Sequence, residues 1–554
     1  MNLLPGRKWF SWQGVLCLLI TLGLLYFVVQ RIDLDAFLAS LKRMRPIWFA
    51  LGFIAYGVAL WLGAIRWHLA LQLTRTSVHP SASVRLFLIG HFFFVALFGA
   101  AGGDFAKSAV YARWYGFGLP EVIAAAPLDR GLGLAGPLLL MGILFGITGA
   151  SGGFEALSRL ELEAPRVWLL VALGIGTLAL IAVLFWNPQG DSSWARTIRA
   201  FRSGGSRLIV TPRIAIPGLA AATLAQLGLS AVLALNLQAV TDSPIPWAQL
   251  AWTFPVITIF SCLPFTVAGA GVREIAAITF LGIYGVPAGD CVAASVLTFV
   301  HKVAWAGIGA GLLWQEETLR MRQGQESLPK TISVVIPTLN EEKSLAETVR
   351  HARVVPEVAE ILVVDGGSTD GTRHIAEQLG CRVLVSPVGR GGQMRLGARH
   401  AMGDIVMLLH ADTWLPLEAG RAAINCLRDP LVSGGGFWKM FRRTPWLMLG
   451  SRWRCAARLL IGRRIAGDQA MFVRRSTLER IGGVPDMPLM EEFELCRRLR
   501  KVGRLALADA TVITSARRFR KQGIVRTYLR MWKVVMLYRL GTPPEELLRH
   551  YDKS

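Results

Sequence analysis

Six apolar stretches of about the length that crosses a bilayer dominate the first half of this chain: Trp12 to Gln30, Ile47 to Leu71, Gly131 to Ala150, Val167 to Trp186, Ile216 to Val240 and Gly289 to Trp314. Hydrocarbon offers no partner for a peptide N–H or C=O, so runs of roughly 18 to 20 apolar residues are confined there to the helix. Val84 to Ala101 and Trp247 to Gly269 are apolar too, but glycine or proline interrupts them. Broken backbone at membrane depth persists only where it is buried in protein or lines a polar cavity. With 53% hydrophobic residues over 554 positions, much of the chain belongs in lipid.

Charge orients these segments. Arg7 and Lys8 precede the first apolar run without a small-residue cleavage site, so Met1 to Gln30 reads as a transmembrane helix, not a signal peptide. Arg196, Arg199, Arg202, Arg207 and Arg213 crowd one loop, and Arg320, Arg322 and Lys330 follow the last span. Positive loops stay cytoplasmic, which places Glu155 to Glu163 outside. The six spans then alternate only if the interrupted regions, Val84 to Ala126 and Trp247 to Val286, are re-entrant; the basic loop Arg31 to Arg45 runs against the charge rule in this arrangement. The net charge of +23 suits anionic membrane lipids, and no nucleic-acid fold signature accompanies it, so no nucleic acid is expected as a partner. Seven scattered cysteines without CxxC or His/Cys spacing argue against a zinc site or a disulfide framework.

The interrupted segments carry the polar residues of this half. One reads GAAGGDFAKSAVYAR, with Asp104 and Lys107, followed by Asp129 and Arg130; the other reads LPFTVAGAGVREIA, with Arg273 and Glu274. Ionisable groups inside a membrane are costly and are paired or functional, and interfacial ion pairs account for them as well as a site does. The GGD followed by a basic residue, the Asp-Arg pair and the Arg-Glu segment resemble the membrane domain of lysylphosphatidylglycerol synthases and related flippase-like proteins, over most of Met1 to Trp314. The resemblance implies a lipid-handling domain, residues 1–315, with Asp104, Lys107, Arg130, Arg273 and Glu274 as its polar site. The aminoacyl-transferring domain of the synthases is not found downstream, so aminoacylation of lipid is not implied.

Residues 316–330 are charged and polar and read as a linker. From Thr331 strand and helix alternate: ISVVIPT, a helix NEEKSLAETVRHAR capped by Asn340, then EILVVD, DGTRHIAEQLG, CRVLVSP, QMRLGARHAMG and DIVMLLH. Helices of about ten residues between strands argue for an α/β domain with a mainly parallel, covered sheet. Each strand ends on a polar loop. The loops hold Pro337, Thr338, Asn340 and Glu341; Asp365, Gly367, Ser368 and Asp370; Arg390 and Gln393; and His410 and Asp412. Ordinary turn chemistry explains any one of them, but four in consecutive register describe a site at the carboxyl edge of the sheet. Asp412 suits Mg²⁺ or Mn²⁺ on a diphosphate, with His410 as a second ligand or a strand-end hydrogen bond. Glu491 and Glu492 open an amphipathic helix, whose N-terminus stabilises carboxylates, whether as base or as simple cap.

VVIPTLNEE, VVDGGSTD, LLHADT, GDQAMFVRR, LMEEFELCRRL and TSARRF, in this order, resemble family 2 glycosyltransferases of GT-A fold, and among them the arsenosugar-biosynthesis-type subgroup. The resemblance covers nearly all of Thr331 to Ser554, with residues 331–520 as the catalytic domain and 521–554 as a basic amphipathic tail. It implies an inverting enzyme that uses a nucleotide-diphosphate sugar and a divalent metal. By it, Asp365 contacts the nucleoside, Asp412 is the metal-side residue of the DxD motif, and Glu491 or Glu492 is the base. Asp468 and Gln469 line the donor or acceptor pocket, and Arg517 and Arg518 complete the diphosphate site. His410 stands where the first DxD aspartate is usual, and Glu492 where an aspartate is usual.

The sequence thus describes a multi-pass inner-membrane protein whose cytoplasmic glycosyltransferase domain serves a lipid-linked or membrane-proximal acceptor, such as a polyprenyl phosphate. The rival reading is a lipid transporter or flippase whose cytoplasmic domain senses nucleotide sugar or glycosylates the lipid it moves.

Overall fold

The computed structural model describes residues 21–24, 26–30, 33–96, 100–149, 192–241, 247, 251–261, 269–322, 328–442, 450–460 and 462–547. The chain divides into two compact units, Met1–Ser77 with Ala82–Glu317, and Val78–Ser81 with Thr318–Ser554.

The N-terminal half is helical. In chain order its helices are α1 (Leu34–Lys42), α2 (Pro46–Leu73), α3 (Pro80–Ala96), α4 (Ala100–Tyr115), α5 (Leu119–Ile123), α6 (Ala125–Gly149), α7 (Ser193–Val210), α8 (Pro212–Val240), α9 (Thr253–Ser261), α10 (Val272–Gly282) and α11 (Ala288–Arg322). Among the described residues, four helical stretches are long and apolar enough to cross a membrane: Pro46–Leu73, Leu119–Leu144, Pro212–Val240 and Ala288–Met321. Proline opens α2 and α8, where its missing N–H leaves nothing unpaired. The interrupted regions fold as short helices, α3 to α5 in one and α9 with α10 in the other. The expected spans Trp12 to Gln30 and Val167 to Trp186, and the loop Glu155 to Glu163, lie wholly or mainly outside the described residues.

One boundary differs from the sequence reading. Residues 316–322 were expected in a linker and instead continue α11. Gln315 to Arg322 holds mostly good helix formers, and the first breaker is Gly324.

The second unit is built on eight strands: β1 (Ile332–Thr338), β2 (Val358–Asp365), β3 (Arg382–Val385), β4 (Ile405–Leu408), β5 (Thr413–Trp414), β6 (Val432–Phe441), β7 (Met471–Arg474) and β8 (Arg504–Thr514). They form one sheet in the order β3-β2-β1-β4-β7-β6-β8-β5. Its helices are α12 (Glu342–Arg353), α13 (Thr372–Gln378), α14 (Arg390–His400), α15 (Ala419–Leu427), α16 (Ser451–Leu460), α17 (Arg475–Arg480), α18 (Glu491–Val502), α19 (Arg517–Gln522) and α20 (Ile524–Arg539). The first four strands are parallel, as their strand-helix alternation requires. Along β1, Ile332, Val334 and Ile336 enter one core and Val335 the other, so both faces of the sheet are covered.

Beyond β4 the sheet turns mixed. β7 runs antiparallel to β4 and β6, while β6 and β8 are parallel. Sequence pattern missed β6 because its GGG run looks like a breaker. In place, a Cβ on Gly435 would stand 2.7 Å from Phe472 Cε2 and 2.8 Å from the Ala506 carbonyl oxygen, so the strand can lie against its neighbours only without side chains there.

Gly397 on α14 has the same kind of constraint. A Cβ there would collide with Val335 Cγ1 and lie 2.9 Å from Val364 Cγ2, both on stiff β-branched side chains. Gly397→Ala should therefore destabilise the catalytic unit by about 1–3 kcal/mol, despite alanine's better helix propensity. The check is the thermal-unfolding midpoint of the full-length protein; an unchanged or raised midpoint would contradict this packing.

The C-terminal helix α20 packs by one side and shows the other. Val534 joins Met490 and Leu547, while Ile524 and Tyr528 meet Phe441 and Phe519. Val525, Leu529, Trp532 and Leu540 stay exposed, beside Arg526 and Arg530.

Candidate active site

The strand ends that were expected to bind a donor are tied to each other. Thr338 and Asp365 stand level in the β1–β2 register, and Gly366 N–H donates to the Thr338 carbonyl at 2.9 Å. Asp365 is buried, and its carboxylate accepts from the Gly367 and Ser368 amides at 3.1 and 3.0 Å, from Ser368 Oγ at 2.5 Å and from Thr338 Oγ1 at 3.5 Å. Both its oxygens are thus engaged in shaping the DGGS turn, where Gly367 takes a φ of 88°. Pro337 lies within buried β1.

Asn340 does not cap α12, as sequence suggested. It sits at φ 56°, its amide donates to Ser368 Oγ at 2.9 Å, and its Oδ1 accepts from the Thr369 amide at 2.9 Å. Asp370 turns to the Thr372 amide at 3.0 Å and accepts from the Glu342 amide at 3.3 Å. Gln393 braces the two strand ends from below, donating to the Thr338 and Val364 carbonyls at 2.8 Å each. The loops after β1 and β2 form one hydrogen-bonded shelf, and the sequence reading had assigned their side chains directly to donor contacts.

A second cluster joins residues from four distant segments. Arg390, at the start of α14, donates from Nε to Glu491 Oε1 and from Nη2 to Glu492 Oε1, and its Nη1 lies 3.3 Å from His410 Nε2. Gly467 completes the contact: a Cβ there would overlap Glu492 Oε1 and lie 2.6 Å from His410 Nε2. The GDQ turn can therefore press on both groups because it begins with glycine. Next to it, Lys439 Nζ donates to Asp468 Oδ2 at 2.5 Å, while Asp468 Oδ1 is buried without a hydrogen-bond partner. Gln469 is structural, donating to the Phe437 carbonyl at 2.9 Å and accepting from Arg458 at 2.9 Å. Lys439 was not foreseen; a lysine between aromatic residues on a strand was the available signal.

The glutamates differ in access. The Glu491 side chain is 1% exposed and Glu492 10%, and Glu491 Oε2 is buried without a partner. Both follow Met490, which holds a left-handed φ of 67° and packs its side chain on Val534 and Leu547. Burial, then the charge of Glu492, push Glu491 up to about 7, against the pull of Arg390. A carboxyl raised in the fold stabilises it while protonated, so this contribution is complete below pH 4.5 and disappears as pH rises through about 7. We expect the melting midpoint of the substrate-free protein to fall between pH 5 and 8, and Glu491→Gln to flatten that fall. Identical slopes for the two proteins in a pH series of thermal melts would contradict it. Asp468 has the opposite sign. Burial would raise it, but Lys439 and Arg458 outweigh that and hold it at about 2, so its contribution is lost only in strong acid.

Asp412 begins a third group. Its carboxylate is 3.8 Å from Arg517 Nη2, which also donates to Glu341 at 2.8 and 3.1 Å. Burial, followed by the Glu341 charge, raises Asp412 to about 6, with Arg517 opposing. A buried carboxylate whose charge is disfavoured beside a second carboxylate is a donor set that a divalent cation relieves, and Mg²⁺ commonly takes one or two carboxylates plus substrate phosphates. The pair Asp412 and Glu341 fits such an ion. His410 is held neutral by burial and Arg390, at about 4, which is the form a metal takes, but its Nε2 faces the Arg390 guanidinium at 3.3 Å. Among the described residues no group of three or more His, Cys, Asp or Glu side chains could hold a metal. Arg518 is in α19, and its side chain lies outside the described residues.

The five polar residues expected in the membrane half fall into two ion-pair groups. Asp104 accepts from Arg130 at 2.8 Å and lies 3.1 Å from Lys107 Nζ; Arg273 and Ser295 donate to Glu274 at 2.5 and 2.7 Å.

Residues 14–310 match the family described as the lysylphosphatidylglycerol synthase TM region, and residues 333–455 match glycosyl transferase family 2. The chain is 28% identical over 207 residues to the uncharacterized glycosyltransferase YaiP of Escherichia coli, covering 34% of this chain and 51% of that protein. It is 35% identical over 109 residues to glycosyltransferase AglJ of Haloferax volcanii, covering 19% and 34%. The chain thus spans about half or less of the length of these curated relatives. Among solved structures, the mannosyltransferase PcManGT of Pyrobaculum calidifontis, in complex with GDP-Man and Mn²⁺, is 20% identical with a TM-score of 0.30, covering 44% of this chain and 77% of that one. The mixed sheet of this chain belongs to a glycosyltransferase domain. The chain belongs to the lysylphosphatidylglycerol synthase TM-region family, and it carries a family 2 glycosyltransferase domain behind those membrane helices.

Proposed function

We propose that this protein transfers a sugar, with inversion, from a nucleotide-diphosphate donor to a lipid-linked or membrane-proximal acceptor on the cytoplasmic face. The supporting observation is that Glu492, His410, Arg390 and the GDQ turn meet at one point, although they come from separate segments. Its motifs resemble those of the arsenosugar-biosynthesis-type subgroup.

In this reading Glu492, the more accessible glutamate, takes the proton of the acceptor hydroxyl. The hydroxyl oxygen then bonds to the anomeric carbon opposite the departing diphosphate, whose C–O electron pair leaves with it. Arg390 orients the glutamate pair, and Glu491 remains behind it as a buried partner whose carboxyl is raised by burial and by Glu492. Arg517 places positive charge beside Asp412 and Glu341, at the edge where the diphosphate is released. A divalent ion held by Asp412 and Glu341 would add charge stabilisation to that leaving group. The shelf formed by Asp365, Ser368 and Asn340 supports the nucleoside with its backbone.

The test uses full-length protein in nanodiscs of inner-membrane lipid, with UDP-glucose, UDP-N-acetylglucosamine and GDP-mannose as donors. Release of one nucleoside diphosphate, stimulated by lipid extract, is expected. Transfer to soluble acceptors alone would sink the lipid acceptor, and no release from any nucleotide sugar would sink the donor class.

A further inference from the structure

Arg517 engages the same two carboxylates that a divalent ion would use. Its Nη2 donates to both oxygens of Glu341, at 2.8 and 3.1 Å, and lies 3.8 Å from Asp412 Oδ2. The backbone fixes this meeting. Thr413 pairs with Thr514 between β5 and β8, and the Ser515 amide donates to the Asp412 carbonyl at 3.1 Å, so Arg517 follows two residues beyond a point tied to Asp412. Opposite it, the Glu341 amide donates to Thr372 Oγ1 at 2.8 Å, and its Oε2 also accepts from Ser344 Oγ.

The three side chains differ in freedom. Glu341 and Asp412 are short of the solvent, at 25% and 27% exposure, on loops braced by those hydrogen bonds. The base of Arg517 is braced too: Ala516 is buried, and Phe519 packs on Phe441 and Tyr528. From that base the Arg517 side chain reaches outward and is 51% exposed. Its guanidinium can swing while α19 and both carboxylates stay in place. Mg²⁺ takes carboxylate oxygens at about 2.0–2.1 Å, so an ion on Glu341 would stand within about 5 Å of a guanidinium on the same oxygens, and the two positive groups repel. A diphosphate reverses this, because its oxygens ligate the ion and accept from an arginine fork as well.

We propose that Arg517 competes with the divalent ion for Glu341 and Asp412, and that its guanidinium moves onto the donor's diphosphate when ion and donor bind together. The inference rests on the proposed cation pair and donor class, and it assigns the coupling between ion and donor to one side chain. Ion alone then binds weakly, and ion and diphosphate strengthen each other's binding.

The experiment follows Mn²⁺ binding to full-length protein in non-ionic detergent by loss of the free-ion EPR signal, without nucleotide and then with UDP or GDP. With Mn²⁺ alone, Arg517→Gln should bind about three- to tenfold more tightly than wild type, and Arg517→Lys, which keeps the charge, should stay nearer to wild type. In an Asp412→Asn background the same glutamine substitution should change Mn²⁺ affinity by less than about twofold, which separates this site from other acidic groups. At saturating Mn²⁺ the sign should reverse, with Arg517→Gln binding the nucleoside diphosphate about tenfold more weakly. A purely structural role would not produce opposite signs. Equal or weaker Mn²⁺ binding by Arg517→Gln would overturn the competition, and unchanged nucleotide affinity would overturn the move to the diphosphate. Tighter Mn²⁺ binding by Arg517→Gln, with neither UDP nor GDP bound by any of the proteins, would uphold the competition and sink the donor class. Mn²⁺ binding by none of them would remove the cation pair and this inference with it.

Discussion

Glu492→Gln should lower the turnover of sugar transfer by roughly two to four orders of magnitude, the usual contribution of a general base. The amide keeps the shape of the side chain and can still accept from Arg390, so the donor KM should change little. Glu492→Asp should recover part of the rate, because a carboxylate returns at a shorter reach. Glu491→Gln should cost much less. That residue is 1% exposed, with one oxygen facing no partner, and it has no path to an acceptor hydroxyl. Initial rates of the three variants under saturating donor separate these roles. If Glu491→Gln carries the large loss, the assignment is reversed. If neither glutamine variant loses more than a fewfold, the acceptor arrives already ionised, as a phosphate does, and the base is dispensable.

Asp412→Asn should reduce transfer by about 10²–10³, the range seen when one group stabilising a developing negative charge is removed. Its effect on stability should have the opposite sign. Burial and Glu341 raise the Asp412 carboxyl to about 6, so its contribution to stability, complete below pH 3.8, is lost as pH rises through about 6. A neutral amide removes that repulsion, and the melting midpoint at pH 8 should stay level or rise while activity collapses. Added Mg²⁺ or Mn²⁺ should raise the midpoint of the wild type and not of the variant. A rate within a fewfold of wild type, or the same metal response in both proteins, would remove Asp412 from the diphosphate end.

Much of this arrangement was legible in the sequence, for reasons that differ by region. The long apolar segments announced themselves because lipid permits little else, and the strands ending at Thr338 and Asp365 because parallel strands covered on both faces are continuously apolar. Less legible was everything decided by contact across distance. β6 was hidden because Gly434 to Gly436 look like a break until Phe472 and Ile465 are seen filling the space. Asp365 was legible as a strand-end carboxylate, but not its hydrogen bonds to the turn that follows it. Asn340 had the form of a helix cap and instead joins the next loop. The glutamate pair was visible as residues, but its fork with Arg390, about a hundred positions earlier, was not. Lys439 went unnoticed for the same reason, since only the fold brings it to Asp468.

The contact of Met490 with Val534 and Leu547 also decides where this enzyme can be cut. A fragment ending at residue 520 would keep the whole sheet and all the polar loops, yet it would lose the two side chains that pack on Met490, the left-handed residue just ahead of Glu491 and Glu492. The shortest fragment that keeps Met490 packed is therefore longer than the shortest that keeps the sheet. The C-terminal turns clamp the residue that precedes the glutamate pair.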